Sequence, residues 1–302
     1  MGIGLEADAV RRRLHPEGVV SYAMEGAVDC GASAPGVSGE SVDDALGRIF
    51  DAVAETVELG GTGVRLACGI QGSGGEEILR LEAVLRGIRR RFPSIWIEGL
   101  SAPELRTLAA GCGLGLQDAI TRLLEAGLDS ITGDGVSLAG LDGGRELCSV
   151  GEWREVHRVA HELGIRTAAA VAFGGSETLE QRVDFLAAVR ELQKETGGFT
   201  AFAPRAAEAP GGRALDGVTA IERLKTLAIA RMFLDTIENV QASAAGEGLK
   251  VLQMGLRFGA NDAGPVGPES HGGSEEDVRR IIRDAGFRPA QRDIAYRAMM
   301  LS

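Results

Sequence analysis

Two residues of this chain, Glu98 and Cys68, have the chemistry of a reaction centre. Glu98 alternates with Trp96 and Leu100 along a β-rich apolar run, so the three side chains should share one face of a strand. A carboxylate in such company needs a partner or a displaced pKa, and either makes it a candidate general base. Cys68 closes another apolar run. It reads either as a nucleophile or substrate contact, or as a small buried hydrophobe. Other polar or glycine positions fall just past apolar runs, where a substrate could be held: Glu25, Asp29, Gly69, Asp134, Gly174, Glu177, Arg205, Ser243, Asn261 and Asp262. Arg205 suits a carboxylate or a phosphate. Asp29, Asp134 and Asp262 have a second use as helix caps.

The histidines offer less. His157 and His161 stand four apart on one helix, a spacing that can bind metal. They fall among Arg154, Glu155 and Arg158, while Val156, Val159, Ala160 and Leu163 mark the buried side. The expectation is a solvated outer face and no metal site. His271, in a glycine-rich stretch, is the better candidate, and His15 before Pro16 is incidental. Gly60-Gly61-Thr62-Gly63 has the look of a phosphate loop but precedes a strand instead of opening a helix, so it carries no nucleotide site.

Bringing these residues together requires a repeating scaffold, and the chain supplies one. Short runs rich in β-branched residues fall at 19–24, 63–69, 94–100, 129–132, 167–174, 199–204, 239–243 and, weakly, 261–266. Amphipathic stretches lie between them, at 42–59, 76–92, 151–163, 178–196, 218–234, 247–258 and 274–285, with a doubled helix at 102–110 and 116–126. Glycines just past the helices (Gly60, Gly127, Gly164, Gly197) act as stop signals, and Ser274 with Asp277 has the form of a capping pair. Eight alternating units predict an α/β fold, a (β/α)8 TIM-type barrel of parallel strands. Residues 1–18, with Arg11-Arg12-Arg13, read as an extension forming a short helix outside the barrel. Residues 19–302 read as one barrel domain, with 206–217 as a mobile loop. Function in such a barrel sits at the carboxyl ends of the strands, which is where the candidates above fall.

Composition narrows the setting. With 302 residues, 44% hydrophobic and 25% charged, there is ample material for a core. A net charge of −11 argues against nucleic acid as a partner. No apolar run approaches the roughly 20 residues a spanning helix needs, and no signal peptide is read, so the expectation is no membrane partner and a cytoplasmic location. Four scattered cysteines, without a CxxC pair, suit reduced thiols better than disulfides or zinc. A homodimer is left open.

Ordered segments along 19–297 carry a resemblance. They include Ala126-Gly127-Leu128-Asp129-Ser130, Phe173-Gly174 followed by Glu177-Thr178, Glu195-Thr196-Gly197-Gly198-Phe199-Thr200-Ala201-Phe202, and Asn239-Val240-Gln241-Ala242-Ser243. Phe258-Gly259-Ala260-Asn261-Asp262 and Ala285-Gly286-Phe287-x-Pro289-Ala290-Gln291-Arg292-Asp293 complete the set. The chain resembles the radical SAM enzymes, specifically the cyclic dehypoxanthine futalosine synthases of menaquinone biosynthesis, and more distantly the deazaflavin cofactor synthases. That family carries Cys-x3-Cys-x2-Cys, whose thiolates hold a [4Fe–4S] cluster. Here those positions read Gly26, Cys30 and Ser33. Neither glycine nor serine replaces a soft thiolate ligand, so the resemblance implies a barrel without its [4Fe–4S] cluster.

Other family positions differ as well. Two histidines of the third strand align with Trp96 and Glu98, a Gln-Gly-Gly with Ala67-Cys68-Gly69, and an Ala-Glu pair with Val136-Ser137. The histidine after Phe-Gly becomes Gly175, and a tryptophan gives way to Ala244 and Ala245. Retained Gly174 and Glu177 match a region that contacts the adenosyl group in the wider superfamily. The resemblance thus implies an enzyme of polar chemistry on S-adenosylmethionine, or a related adenosyl compound, bound as substrate or ligand. The economical version is cyclisation of the aminobutyrate arm with release of methylthioadenosine. The alternatives are a non-catalytic partner of a true radical enzyme, and a radical futalosine cyclase whose cluster uses Cys30, Cys68 and other ligands.

Overall fold

Eight parallel strand positions, met in chain order, close into a ring. The computed structural model describes residues 2–31, 42–70, 75–138, 147–209, 213–214, 218–244, 248–267, 273–297 and 299–301; Ser33, Ala245 and His271 lie outside them, as does much of 206–217. The chain starts with α1 (Gly2–Leu14), β1 (Val19–Asp29), α2 (Val42–Glu58), β2 (Gly63–Ala67), α3 (Gly75–Arg91) and β3 (Trp96–Gly99). The doubled helix follows as α4 (Ala102–Gly111) and α5 (Leu116–Ala126), then α6 (Val150–Glu162), β4 (Thr167–Phe173) and α7 (Leu179–Thr196). Next come β5 (Phe199–Ala206), a short hairpin of β6 (Glu208–Ala209) and β7 (Arg213–Ala214), α8 (Ala220–Phe233) and β8 (Asn239–Val240). The chain ends with α9 (Leu249–Leu256), β9 (Asp262–Val266), α10 (Glu275–Asp284), β10 (Arg288–Arg292) and β11 (Met299–Leu301).

β1 pairs with β2, β2 with β3, and Glu98 of β3 bridges to Ser130. The N–H of Ala170 in β4 donates to Gly133 O, β4 pairs with β5, and β5 with β8. Gln241 bridges to Asp262, and β9 returns to β1. The fold is the (β/α)8 barrel. Its fourth position is a single bridge at Ser130 instead of a ladder. There the Asp129 carboxylate accepts the Ile97 N–H at 2.8 Å and is held by Arg89 at 2.5 Å.

Local chemistry sets the helix boundaries. Ser101 with Glu104, Ser149 with Glu152, Thr178 with Gln181 and Ser274 with Asp277 form capping boxes, each satisfying helix-start N–H groups. The core lies between the ring and its helices, where Val64, Leu66, Ile97, Phe185 and Phe199 are buried.

Three readings of the sequence change. First, the helix expected outside the barrel, α1, is joined to the packed body. It packs on α8, with Asp8 and Arg11 paired at 2.8 Å and both buried. Second, His157 is fully buried, its ring 4.3 Å from that of Trp153, and His161 stands edge-on to Phe199. Trp153, His157 and His161 are spaced by four, and the indole draws the whole stripe inward. Third, the chain adds β10 and β11. β10 runs parallel to the start of β1, from Val19 beside Arg288 to Tyr22 beside Gln291. Residues 293–297 then cross the amino-terminal mouth of the barrel. Ile294 packs over Gly63 and Arg297 over the Trp96 ring, at the first residues of β2 and β3.

Candidate active site in the barrel interior

Strand alternation decides what the interior contains. In β1, Glu25 points inward and Gly26 outward; in β2, Arg65 points inward between outward Val64 and Leu66; in β3, Trp96 and Glu98 flank outward Ile97. Asp134 and Thr132 join them from beyond Ser130, and Arg205 from β5. Alanines at 23, 168, 170 and 203 leave the space that larger side chains would fill. The resulting cavity, counted with its open mouth, is about 690 Å³. Its floor is made by Ile294, Ala295, Tyr296 and Arg292.

Arg65 is the centre of the polar wall. Its Nε donates to Glu98 Oε2 at 2.9 Å, and its Nη2 lies 3.3 Å from Glu25 Oε2. The Glu25 carboxylate, foremost, holds the guanidinium firmly protonated against the cost of burial. Glu98 is 7% exposed, and burial pushes its carboxyl above the usual range although Arg65 pulls the other way. Asp134 accepts a hydrogen bond from Thr132 Oγ1 at 2.6 Å. At the floor, Arg292 grips Asp262 through Nε and Nη2, at 2.5 and 3.0 Å, while its guanidinium lies 3.8 Å from the centre of the Tyr296 ring. Gln241 Nε2 donates to Tyr296 Oη at 2.9 Å.

Four of the residues singled out from the sequence thus converge on the cavity: Glu25, Glu98, Asp134 and Arg205. The rest serve elsewhere. Cys68 is 1% exposed, with its Sγ 3.6 Å from that of Cys30. The hydrogen bond to Cys30, then burial, push its thiol well up. Asp29 turns back to accept the Gly31 N–H at 2.9 Å, and Gly69 sits in the left-handed region at φ 58°. Glu177 accepts from the N–H groups of Gly174 (2.6 Å) and Gly175 (2.8 Å) and from Arg182 Nε (2.7 Å). Burial would raise its pKa, but these donors together lower it, so it locks the turn after β4. Gly174, at φ 94°, has Val218 where a Cβ would stand. Asn261 ties Arg231 (2.6 Å) to Asn239 (2.8 Å) and the Val240 N–H (3.0 Å), and Asp262 holds Ser21 Oγ at 2.5 Å. Ser243 lies partly buried beside Gly264.

Arg65 is the cavity residue that sequence reasoning missed, with Arg292 and Tyr296 of the floor. The signal for Arg65 is present: a lone guanidinium at the middle of Gly63-Val64-Arg65-Leu66-Ala67, where alternation must send it inward.

The cysteines do not fit a three-thiolate cluster. The chain holds four, Cys30, Cys68, Cys112 and Cys148. A side chain at Gly26 would run into Thr56 of α2, away from the cavity that Glu25 lines. Cys68 is held as a neutral buried thiol, the reverse of what a metal ligand requires. No helix among the described residues is long and apolar enough to cross a membrane.

Comparison with known proteins places this geometry. Residues 197–302 match the family model of the CofH/MqnC C-terminal region. The chain is 31% identical to the cyclic dehypoxanthine futalosine synthase of Streptomyces coelicolor, an alignment that spans 99% of this chain and 82% of that protein. It is 35% identical to a 5-amino-6-(D-ribitylamino)uracil–L-tyrosine 4-hydroxyphenyl transferase of Methanothermobacter thermautotrophicus, over 83% of this chain and 74% of the relative. Among solved structures, methylornithine synthase superposes with a TM-score of 0.65 at 14% identity, covering 96% of this chain and 88% of that one, a likeness of fold.

Proposed function

Starting from the fact that this chain belongs to the radical SAM family of the cyclic dehypoxanthine futalosine synthases, we propose that it performs polar, cluster-independent chemistry on S-adenosylmethionine or a closely related adenosyl sulfonium. The observation that carries the reading is the Glu25–Arg65–Glu98 wall beside Asp134, with Glu98 standing where the resemblance places a histidine, in a chain that has Gly26 where the resemblance places a cluster thiolate. A sulfonium is its own leaving group, so the protein needs only to position the molecule and accept a proton.

In this reading Glu98 is the base. Its raised pKa brings a carboxylate closer to the range in which it takes a proton effectively, and the Arg65 contact fixes its orientation. The carbon–sulfur bond of the aminobutyrate arm breaks with its electron pair going to sulfur, leaving neutral methylthioadenosine. A nucleophile on the same arm forms the new bond to that carbon and gives its proton to Glu98. Negative charge on Glu25 and Asp134 stabilises the cation in the partly desolvated cavity. Transfer of the methyl or aminobutyrate group to a second substrate would use the same parts.

The test is incubation with S-adenosylmethionine, following methylthioadenosine by chromatography. Glu98→Gln keeps shape and the Arg65 contact while removing the base, and should lower turnover by ~10²-fold or more with the melting temperature nearly unchanged. Equal turnover would remove Glu98 from the role. Absence of product together with no melting shift from any adenosyl compound would favour a non-catalytic partner of a radical enzyme.

A further inference from the structure

Arg205 is the one cavity arginine on a barrel strand whose guanidinium makes neither a hydrogen bond nor an ion pair with any described residue. It sits on β5 opposite Ala172 of β4 and projects into the space described above. The contrast with its neighbours is sharp. Arg65 holds two carboxylates, and Arg292 holds Asp262 through a fork. A guanidinium presents five donors in a plane, and no described residue accepts from those of Arg205. Burial, and then repulsion from Arg65, already work against its charge. A protein keeps such a group where something outside the chain supplies the acceptor.

We infer that Arg205 binds the carboxylate of a zwitterionic, amino-acid-like ligand whose cationic portion faces Glu25, Glu98 and Asp134. The acids of the cavity are committed elsewhere: Glu25 and Glu98 to Arg65, and Asp134 to Thr132. The missing acceptor is therefore a ligand atom. A phosphate would bring up to two negative charges against three carboxylates, whereas a zwitterion answers both signs at once. Planar, two-oxygen geometry also matches the guanidinium fork. The inference deepens the adenosyl reading and rests on it for its probes: S-adenosylhomocysteine carries an amino-acid end, and methylthioadenosine lacks one.

Titration calorimetry with both compounds on wild type, Arg205→Gln and Arg205→Lys provides the test, with ligand-free melting curves beside it. Arg205→Gln should weaken S-adenosylhomocysteine by roughly 10- to 100-fold, as expected for a lost charged hydrogen bond, and leave methylthioadenosine within about twofold. Arg205→Lys should recover part of the affinity, charge without the fork. Without ligand, Arg205→Gln should melt at or above wild type, because a cation disfavoured by its desolvation and by Arg65 has been removed. Equal weakening of both compounds, or a ligand-free melting point several degrees below wild type, would overturn the inference. Tighter binding of adenosine monophosphate than of S-adenosylhomocysteine would assign the guanidinium to phosphate and overturn it also. If wild type binds neither adenosyl compound, the adenosyl reading fails, and the ligand-free melting comparison alone decides Arg205.

Discussion

Mild acid should destabilise this protein through two histidines that the barrel wall holds uncharged. His157 is 0% exposed, wedged between Trp153 and Phe199, and donates to or accepts from Thr167 Oγ1 at 3.1 Å. Burial, then the neighbouring His161, hold its pKa at about 3; burial, then Arg166, hold His161 at about 4. In the unfolded chain both titrate near 6.5. A base with a depressed folded pKa costs nothing above about pH 7.5. The cost grows as pH falls through about 6.5, because the unfolded state binds protons the folded state refuses. At pH 5 that gain is about 2 kcal/mol per histidine, about 4 kcal/mol for the pair, against a total stability of about 5–15 kcal/mol. His157→Phe keeps a ring beside Trp153, and Thr167 Oγ1 retains His161 Nε2 at 3.0 Å. Urea unfolding at pH 7.5 and 5.0 reads the effect. Wild type should lose about 4 kcal/mol between the two and the variant about 2. Carboxylates titrate mostly below this window, so they do not mask the difference. An equal loss in both proteins would refute the argument.

Three other outcomes follow from the geometry. Asp262→Ala strands Arg292, itself 3% exposed, and should cost about 3–5 kcal/mol by urea denaturation, with Asp262→Asn milder. Gly174→Ala meets both a left-handed backbone and the Val218 side chain, and should destabilise by about 1–3 kcal/mol in the same assay, loosening the turn that Glu177 locks. Anaerobic iron–sulfur reconstitution should leave the protein colourless and without stoichiometric iron; a stable brown species would overturn the reading of Gly26 and Cys30.

The barrel is legible in the sequence because its strands are short apolar runs and most of its helices end at a glycine or open at a Ser/Thr box. Those signals act within a few residues, and so they survive without tertiary context. Glu98 is legible for the same reason, since alternation with Trp96 puts both on one face and both line the cavity. What escapes is long-range. Pro289-Ala290-Gln291 is no β-rich run, and β10 exists because the start of β1 offers it a free edge. Arg65 escapes a search confined to the strands' carboxyl ends, because alanines open the barrel down to mid-strand. The misplaced histidines have a local cause: the apolar stripe drawn from Val156 and Val159 omits Trp153, the residue that fixes which side of α6 is inside.

The same parity sets what the barrel interior holds. On β1 the inward residue is Glu25, and the next, Gly26, faces α2 against Thr56. Cys30 and Cys68 share the outward side as buried thiols, and neither lines the interior. The interior is then free to carry charge of its own. Three carboxylates face two guanidiniums across the open space, with the Arg292–Asp262 pair neutral beneath them and Arg166 exposed at the rim. One negative charge is left unbalanced when Glu98 is ionised. A ligand with two positive groups and one carboxylate supplies the single net positive charge that balances it, and its carboxylate supplies the acceptor that Arg205 lacks. An adenosyl sulfonium with an amino-acid arm has this charge pattern. Methylthioadenosine carries none of these three charges, so under the proposed function the wall that would hold the substrate would have little hold on the product.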